Sequence, residues 1–184
     1  MNNKISHSQY MIVVSAASAC GKTTLVNHLE TNFNFKRLKT CTTRARREGE
    51  TDADYNFMDI SDYQKNLYAN KFIEHGEVYG NYYGILRTEI ESSADRDIIV
   101  TLDVKGRENF IKEYPHAISI FFLPPSMEEI ETRLKERKTT ATDVKLRLKE
   151  ARIEIKASSK YDYTVPYGTL DEMKISLENI IKSI

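Results

Sequence analysis

Ten residues near the start of this 184-residue sequence have the types and spacing that phosphate binding needs. They are Ser15-Ala-Ala-Ser-Ala-Cys-Gly-Lys-Thr-Thr24, after an apolar run at 11–14 and before apolar residues at helical spacing. A strand, a tight loop and a helix in this order point backbone N–H groups at an anion, and the helix dipole adds to the attraction. Lys22 can reach the β- and γ-phosphates, and the Thr23 hydroxyl can coordinate Mg²⁺. The stretch therefore predicts a phosphate loop.

The loop departs from the G-x-x-x-x-G-K-[ST] pattern because alanine stands at its first position. Small side chains are what the chemistry requires around the anion, and every residue before Gly21 in the loop is small. The predicted phosphate-binding set is Ala16, Ser18, Ala19, Cys20, Gly21, Lys22, Thr23 and Thr24. The alternative is an ordinary strand-to-helix turn that happens to contain Gly-Lys-Thr.

Composition and charge fit one domain in a reducing compartment. Lys plus Arg and Asp plus Glu both number 27, so no overall basic field attracts nucleic acid. No apolar run is long enough for a transmembrane helix, and the first nine residues are too polar for a secretory signal. Two cysteines, Cys20 and Cys41, suit a reducing compartment better than a disulfide framework. We expect a cytoplasmic protein that binds neither nucleic acid nor membranes.

Alternating strand and helix patterns predict an α/β fold with a parallel sheet covered on both faces. Ligands bind at the carboxyl ends of such strands, which puts the phosphate loop, Asp103 and the segment after Leu123 around one cleft. Strands are predicted at 11–14, 35–39, 55–58, 97–103, 117–123 and 161–165. Helices are predicted after the loop, from Ser61, at 87–94, 106–113, 126–137 and 143–157, and from Thr169.

A polar segment at 40–54 contains three arginines close together: Arg44, Arg46 and Arg47. A guanidinium can grip a phosphate with two parallel hydrogen bonds. Tyrosines further along add hydroxyl donors for the same anion: Tyr55, Tyr79, Tyr82 and Tyr83. The alternative is a solvated basic loop beside ordinary aromatic packing.

Glu74 lies between Ile73 and His75 in an aromatic setting. One carboxylate can accept hydrogen bonds from both N1–H and the N2 amino group of guanine, whereas adenine would present the N1 lone pair to it. Hydrogen-bond recognition of this kind discriminates strongly between bases. The alternative is an exposed glutamate on a strand.

From residue 11 to 183 the sequence resembles the guanylate kinases, which are nucleoside monophosphate kinases with a phosphate loop. The Thr-Thr-Arg and Gly-Asn-Tyr-Tyr-Gly pieces, in this order after such a loop, are specific to that family. The resemblance is carried by residues 15–23, 42–50, 54–57, 72–74, 80–84, 123–126 and 160–163.

The resemblance implies a P-loop NTPase core with a parallel sheet flanked by helices, an inserted mixed α/β GMP-binding region and a helical lid. We expect residues 1–184 to form a single domain. Its parts would be a core at 10–39, 95–132 and 158–184, a GMP-binding insert at 40–94 and a lid at 133–157.

The resemblance also assigns roles to individual residues. Matches to Arg44, Arg47, Tyr55 and Tyr83 hold the GMP phosphate in the family. Matches to Thr40, Glu74 and Asp103 recognise guanine or lie beside it. The lid arginines Arg133, Arg137 and Arg147 close on the phosphates, the first two on those of ATP. Lys22, Arg44, Arg137 and Arg147 are the expected catalytic residues.

The implied reaction is ATP-dependent phosphorylation of GMP, and of dGMP, by direct in-line transfer. Mg²⁺ enters with ATP and meets Thr23. No general base is needed, because the attacking group is an ionised phosphate oxygen, so positioning and charge stabilisation do most of the work. We expect these substrates as the partners of a monomer or homodimer.

Several positions depart from the family pattern. Ala17 and Ala19 stand where proline and glycine are common, and Glu136 and Lys138 where glycines are usual. Ile85 replaces a hydroxyl residue that helps to bind guanine, so we expect weaker GMP binding. Thr101 replaces an acidic residue, which removes a water-mediated contact to Mg²⁺. Pro166-Tyr167 replaces an Asn-Asp pair near the adenine pocket, which affects the donor base.

Two other functions stay open at this stage. One is a non-catalytic guanylate-kinase-like binding module, although Gly21-Lys22-Thr23 and the lid arginines favour an enzyme. The other is a kinase of the same fold with a shifted acceptor, for which Ile85 leaves room. Cys20, at a helix start beside Lys22, is either a small loop residue or a thiol whose oxidation blocks ATP binding.

Overall fold

A computed structural model describes the chain at residues 9–17, 20–136 and 140–184. Strands in these ranges are β1 (Met11–Ala16), β2 (Lys36–Arg37), β3 (Thr40–Thr42), β4 (Asn56–Phe57), β5 (Phe72–Val78), β6 (Asn81–Leu86), β7 (Ile98–Thr101), β8 (Ile118–Phe122) and β9 (Tyr163–Val165). Helices are α1 (Lys22–Phe33), α2 (Ile60–Tyr68), α3 (Arg87–Glu91), α4 (Val104–Glu113), α5 (Met127–Glu136), α6 (Ala141–Ala157) and α7 (Leu170–Ser183).

The first sheet has five strands in the order β2-β7-β1-β8-β9, and all its pairings are parallel. Successive residues of β1 face opposite sides. Ile12 and Val14 pack with α1 and α7, whereas Met11 and Val13 pack with α4. Burial on both faces explains why this strand is a continuous apolar run. The predicted parallel sheet flanked by helices is confirmed.

A second sheet of four strands, in the order β4-β3-β6-β5, is mixed. β3 pairs parallel with β4 and antiparallel with β6, and β5 pairs antiparallel with β6. Ile85 of β6 and Ile90 of α3 belong to the same apolar cluster as the strands of the first sheet. The second sheet is therefore packed against the first through this cluster.

Capping side chains set several helix starts, and some of these starts differ from the sequence-based bounds. The Asp59 carboxylate accepts from the Asp62 N–H, so α2 begins at Ile60 and Ser61 is not its cap. The Asp103 carboxylate accepts from the Gly106 N–H at 2.7 Å, so α4 begins at Val104 instead of at residue 106. The capping box predicted at the start of the last helix is present in full, between Thr169 and Glu172.

Other predicted elements differ in length. The strands at 35–39, 55–58, 97–103 and 161–165 are shorter than expected, and the helix at 87–94 ends at Glu91. The long charged helix begins at Ala141, two residues early, because the Thr140 hydroxyl accepts from the Asp143 N–H. Within the described ranges, no helix has the length and apolarity that crossing a membrane requires.

Candidate active site

The described part of the phosphate loop presents the start of α1 to a cavity. Gly21 is the N-cap residue, with φ 74° and ψ 14°, a left-handed conformation that favours glycine. Because glycine has no side chain to cap the helix, the first N–H groups of α1 are left for an anion. Ser18 and Ala19, predicted to bind phosphate, lie outside the described residues.

This larger cavity has a volume of roughly 600 Å³. It brings together nine residues that the sequence nominated for the site: Ala16, Cys20, Gly21, Lys22, Thr23, Thr24, Arg47, Asp103 and Arg147. It also contains residues that the sequence analysis did not assign to ATP, from the β5–β6 hairpin and from α6: Glu77, Val78, Tyr79, Leu146, Glu150 and Glu154.

The Lys22 ammonium meets carboxylates in this cavity. Burial lowers the pKa of Lys22, and the Glu154 carboxylate is the strongest of the charges that oppose the shift. Burial in turn raises the pKa of Glu154 to about 7, against the effect of Lys22. Glu154 was missed by sequence reasoning, although Arg147, Glu150 and Glu154 have the i, i+3, i+7 spacing of one helix face.

A smaller pocket of roughly 180 Å³ adjoins the larger cavity. Five of the residues nominated for GMP line it: Thr40, Tyr55, Glu74, Tyr83 and Asp103. Lys22, Val78 and Asp103 line both cavities, so the two are neighbours that meet at the phosphate-loop lysine. Thr101, at the end of β7, lies in the wall of the smaller pocket.

Glu74 is buried, with 7% of its surface exposed, and is not the exposed strand glutamate that was the alternative. Burial raises its pKa to about 7, and the nearby Asp103 carboxylate adds to the shift. Gly106 leaves room for the two carboxylates. A Cβ there would lie 3.1 Å from Glu74 Oε1 and 3.2 Å from Asp103 Oδ1. A glycine in the first turn of a helix was the available sequence signal.

Glu50 holds two arginines of the polar segment at 40–54 in place, although the sequence analysis gave it no role. Arg44 Nη2 lies 2.8 and 2.9 Å from the two Glu50 carboxylate oxygens. The Arg47 N–H donates to the same carboxylate at 2.8 Å. The Arg44 guanidinium carbon lies 5.4 Å from the centre of the Tyr55 ring, and Tyr55 lines the smaller pocket. Arg44 therefore lies beside the smaller pocket without lining it, whereas Arg47 lines the larger cavity.

The three lid arginines are not all brought to the cavity. Arg147 lines it from α6. Arg133 of α5 does not line it, because its Nη2 lies 2.5 Å from Glu129 Oε1 and donates to the Tyr167 hydroxyl at 2.8 Å. Tyr167, one of the departures from the family pattern, thus contacts Arg133. Arg137, Lys138 and Thr139 lie outside the described residues.

Ile85 and Cys20, for which the sequence suggested effects on GMP and ATP binding, are both buried. Ile85 is fully buried and pairs with Thr40 and Glu74 on the neighbouring strands. It lies in the apolar cluster below the smaller pocket and does not line it. Cys20 is 3% exposed and lines the larger cavity, and neither it nor Cys41 forms a disulfide.

Known proteins resemble this chain over most of its length. A family model described as guanylate kinase matches residues 8–184. The guanylate kinase of Anaplasma phagocytophilum (strain HZ) is 35% identical over 180 residues, covering 94% of this chain and 86% of the relative. That of Bartonella quintana (strain Toulouse) is 38% identical over 180 residues, covering 95% and 80%. The crystal structure of guanylate kinase from Anaplasma phagocytophilum matches with a TM-score of 0.76 and 31% identity, over 95% of this chain and 85% of that chain.

The family match extends over the phosphate loop, the second sheet and α6, so it includes the elements that line both cavities. The relatives are more than 30% identical over nearly the whole chain, which is enough to assign the family and not the fold alone. The resemblance predicted from the short motifs is confirmed. The chain belongs to the guanylate kinase family.

Proposed function

We propose that this chain transfers a phosphoryl group from ATP to GMP, and to dGMP, by direct in-line displacement. The observation that carries the proposal is the junction of the two cavities at Lys22 and Asp103. In-line transfer requires a donor and an acceptor phosphate close to one cation, and Lys22 lines both volumes. Membership of the guanylate kinase family supports the choice of substrates.

ATP would occupy the larger cavity. The N–H groups at the start of α1 and the Lys22 ammonium would bind its phosphates, and Arg147 would donate to them from α6. The Thr23 hydroxyl lines this cavity next to Lys22, and its oxygen is of the hard type that Mg²⁺ accepts. When bound there, Mg²⁺ would neutralise charge on the phosphates.

GMP would occupy the smaller pocket. The ionised Glu74 carboxylate accepts from N1–H and the N2 amino group of guanine, with Thr40 and Asp103 beside the base. Tyr55 and Tyr83, with Arg44 and Arg47, hold the phosphate. Since the GMP phosphate already carries the attacking oxygen as an anion, these residues have only to orient it and offset its charge.

Turnover would require the parts of the chain to close on the substrates. We propose a core at 10–39, 95–132 and 158–184, an insert at 40–94 and a lid at 133–157 that move as three parts. Closure would bring Arg133 and Arg137 toward the phosphates and exclude water, which would otherwise hydrolyse ATP. We propose a cytoplasmic enzyme that acts as a monomer or homodimer, two states that sedimentation distinguishes.

The test is a coupled assay of ADP formation with ATP and Mg²⁺ and with GMP, dGMP, AMP, CMP or UMP as acceptor. We expect turnover confined to the guanine nucleotides and lost in Glu74→Ala. Turnover with a different base would indicate a shifted acceptor. Absence of turnover with every acceptor, in protein that binds GMP, would refute the enzymatic function and leave a binding module.

A further inference from the structure

Tyr79 has an unfavourable backbone conformation at the tip of the β5–β6 hairpin. The two turn residues, Tyr79 and Gly80, have φ values of 51° and 74°. Two-residue hairpin turns of this kind favour Asn or Asp followed by glycine, because a bulky side chain at positive φ is strained. A tyrosine in this position therefore needs a reason other than the turn itself.

The Tyr79 side chain meets a residue of the proposed lid. The guanidinium carbon of Arg147, on α6, lies 4.7 Å from the centre of the Tyr79 ring, within the range of a cation–π contact. Both side chains line the larger cavity together with Lys22. The ring and the guanidinium thus join the hairpin of the second sheet to α6 at the wall of the phosphate cavity.

A guanidinium stacked on a ring keeps its N–H donors for other groups. Stacking uses the flat face of the guanidinium, whereas hydrogen bonds to phosphate lie in its plane. Among the residues that the structure describes, Arg147 makes no side-chain hydrogen bond or ion pair, in contrast to Arg44 and Arg133. The contact with Tyr79 therefore orients Arg147 without consuming the groups that would bind a phosphate oxygen.

We infer that Tyr79 is a positioning residue that holds the Arg147 guanidinium over the phosphate cavity, an inference that rests on the proposed function. The same hairpin carries Glu74 on β5 and Tyr83 on β6, both in the smaller pocket. A movement of this hairpin when the acceptor binds is transmitted to Arg147 through the ring. The hairpin thereby couples occupation of the acceptor pocket to the placement of a cation in the donor cavity.

The test exploits the backbone strain at Tyr79. Asparagine is favoured at positive φ, so Tyr79→Asn removes the ring while relieving the turn. We expect the melting temperature to stay equal or rise, while kcat/KM for ATP falls about fivefold, the size of one cation–π contact. Tyr79→Phe, which keeps the ring, retains most of the activity. Tyr68→Asn, at an 88% exposed tyrosine on α2, is the matched control.

A double-mutant cycle with Arg147→Ala decides whether Tyr79 acts through Arg147. Tyr79→Asn should change neither kcat/KM nor the Kd for ATP once Arg147 is absent. Equal losses in both backgrounds, or full activity of Tyr79→Asn, would overturn the inference while leaving turnover of GMP intact. Failure of the wild type to phosphorylate GMP would instead refute the proposed function. In that case the double-mutant cycle, measured on the Kd for ATP, would still test the coupling between Tyr79 and Arg147.

Discussion

The two cavities meet at Lys22 and Asp103 but differ in how they are built. The larger one is lined by a backbone loop, by cations from three parts of the chain and by carboxylates of α6. The smaller one is lined by hydroxyl and aromatic side chains around the buried carboxylate of Glu74. The first suits a multiply charged group whose shape matters little. The second suits a flat base that presents hydrogen-bond donors.

The difference between the two cavities suggests that the larger one stabilises charge and the smaller one recognises the base. Cations in the larger cavity act on the phosphates of any nucleotide, so their removal should slow transfer itself. The buried Glu74 carboxylate in the smaller pocket should distinguish between bases, so its removal should weaken the use of one acceptor. Variants on the two sides should therefore change different kinetic constants, and those at the junction should have the largest effect.

Lys22→Met should have the largest effect. It removes the cation common to both cavities, and loss of one group that stabilises developing charge lowers kcat by about 10²–10³-fold. The Kd for GMP should change little, because the base contacts remain. Steady-state kinetics and calorimetry with GMP provide the measurements, with Lys112→Met on the exposed face of α4 as the control. Retention of kcat would contradict the assignment of Lys22 to the reacting phosphates.

Glu74→Gln should come next, with an effect confined to the acceptor. A glutamine cannot accept from both guanine donors with the strength of a carboxylate, so kcat/KM for GMP should fall about 100-fold, the scale of losing charged hydrogen bonds. The KM for ATP should stay within a few-fold. Glu91→Gln, on the exposed side of α3, is a matched control. An equal rise in both KM values would show that Glu74 supports the fold and not base recognition.

The pH dependence of GMP use should follow from the raised pKa of Glu74. Only the ionised carboxylate accepts both guanine donors, and its pKa of about 7 in the unliganded protein means that acid protonates it. Well below pH 7, kcat/KM for GMP should fall about tenfold per pH unit. Glu74→Gln should remove this limb of the profile. A profile that is unchanged by the substitution would assign the titration to another group.

The raised pKa of Glu74 makes stability change with pH in the opposite direction to GMP use. A carboxyl group whose pKa is higher in the folded than in the unfolded protein stabilises the fold below its unfolded pKa of about 4.5, and this contribution is lost as the pH rises through about 7. Glu154 has a shift in the same direction. Above about pH 7, Glu74 is ionised and can recognise guanine, but its buried charge destabilises the fold when no ligand is bound. A ligand that donates hydrogen bonds to the carboxylate would offset this cost.

The sequence correctly predicted the features that depend on residues nearby in the chain. The order of strand, loop and helix around Gly21 and the capping box at Thr169 depend on neighbours a few residues away, so their residue types were sufficient. Asp103 was found because a carboxylate follows a buried strand, and a strand end is also a local signal. The short strands β2, β4 and β9 were overestimated because their ends are determined by pairing with partners distant in sequence.

The remaining features of the site depend on how helices and strands that are distant in sequence pack together. The burial of Glu74 requires α4 to approach β5, and a Cβ at Gly106 would crowd the Glu74 carboxylate. The position of Glu154 opposite Lys22 depends on where α6 packs. Tyr167 contacts Arg133 and Glu129, which lie 34 and 38 positions before it in the sequence. None of these contacts between elements follows from periodicity, so the sequence could nominate Glu74 and Arg133 without placing them, and it did not nominate Glu154.

The smallest expected effect concerns Ile85, which lies under the smaller pocket. Its strand neighbours Thr40 and Glu74 both line the pocket, and directly paired residues project from the same face of a sheet. Ile85→Thr would add a hydroxyl between them, and one neutral hydrogen bond to the base should lower the KM for GMP about two- to fivefold. The apolar cluster would lose a buried group, so stability should fall by about 1–3 kcal/mol.

Ile85→Val separates these two effects. It removes one buried carbon without adding a donor, so it should destabilise the protein by about 1 kcal/mol and leave the KM for GMP unchanged. Denaturant unfolding and steady-state kinetics on both variants provide the comparison. If the threonine and valine variants have the same KM, the hydroxyl does not reach the base, and the smaller pocket recognises guanine without a contact from this position. If only the threonine variant has a lower KM, recognition in this pocket is limited by its number of polar contacts, whereas the larger cavity depends on charge.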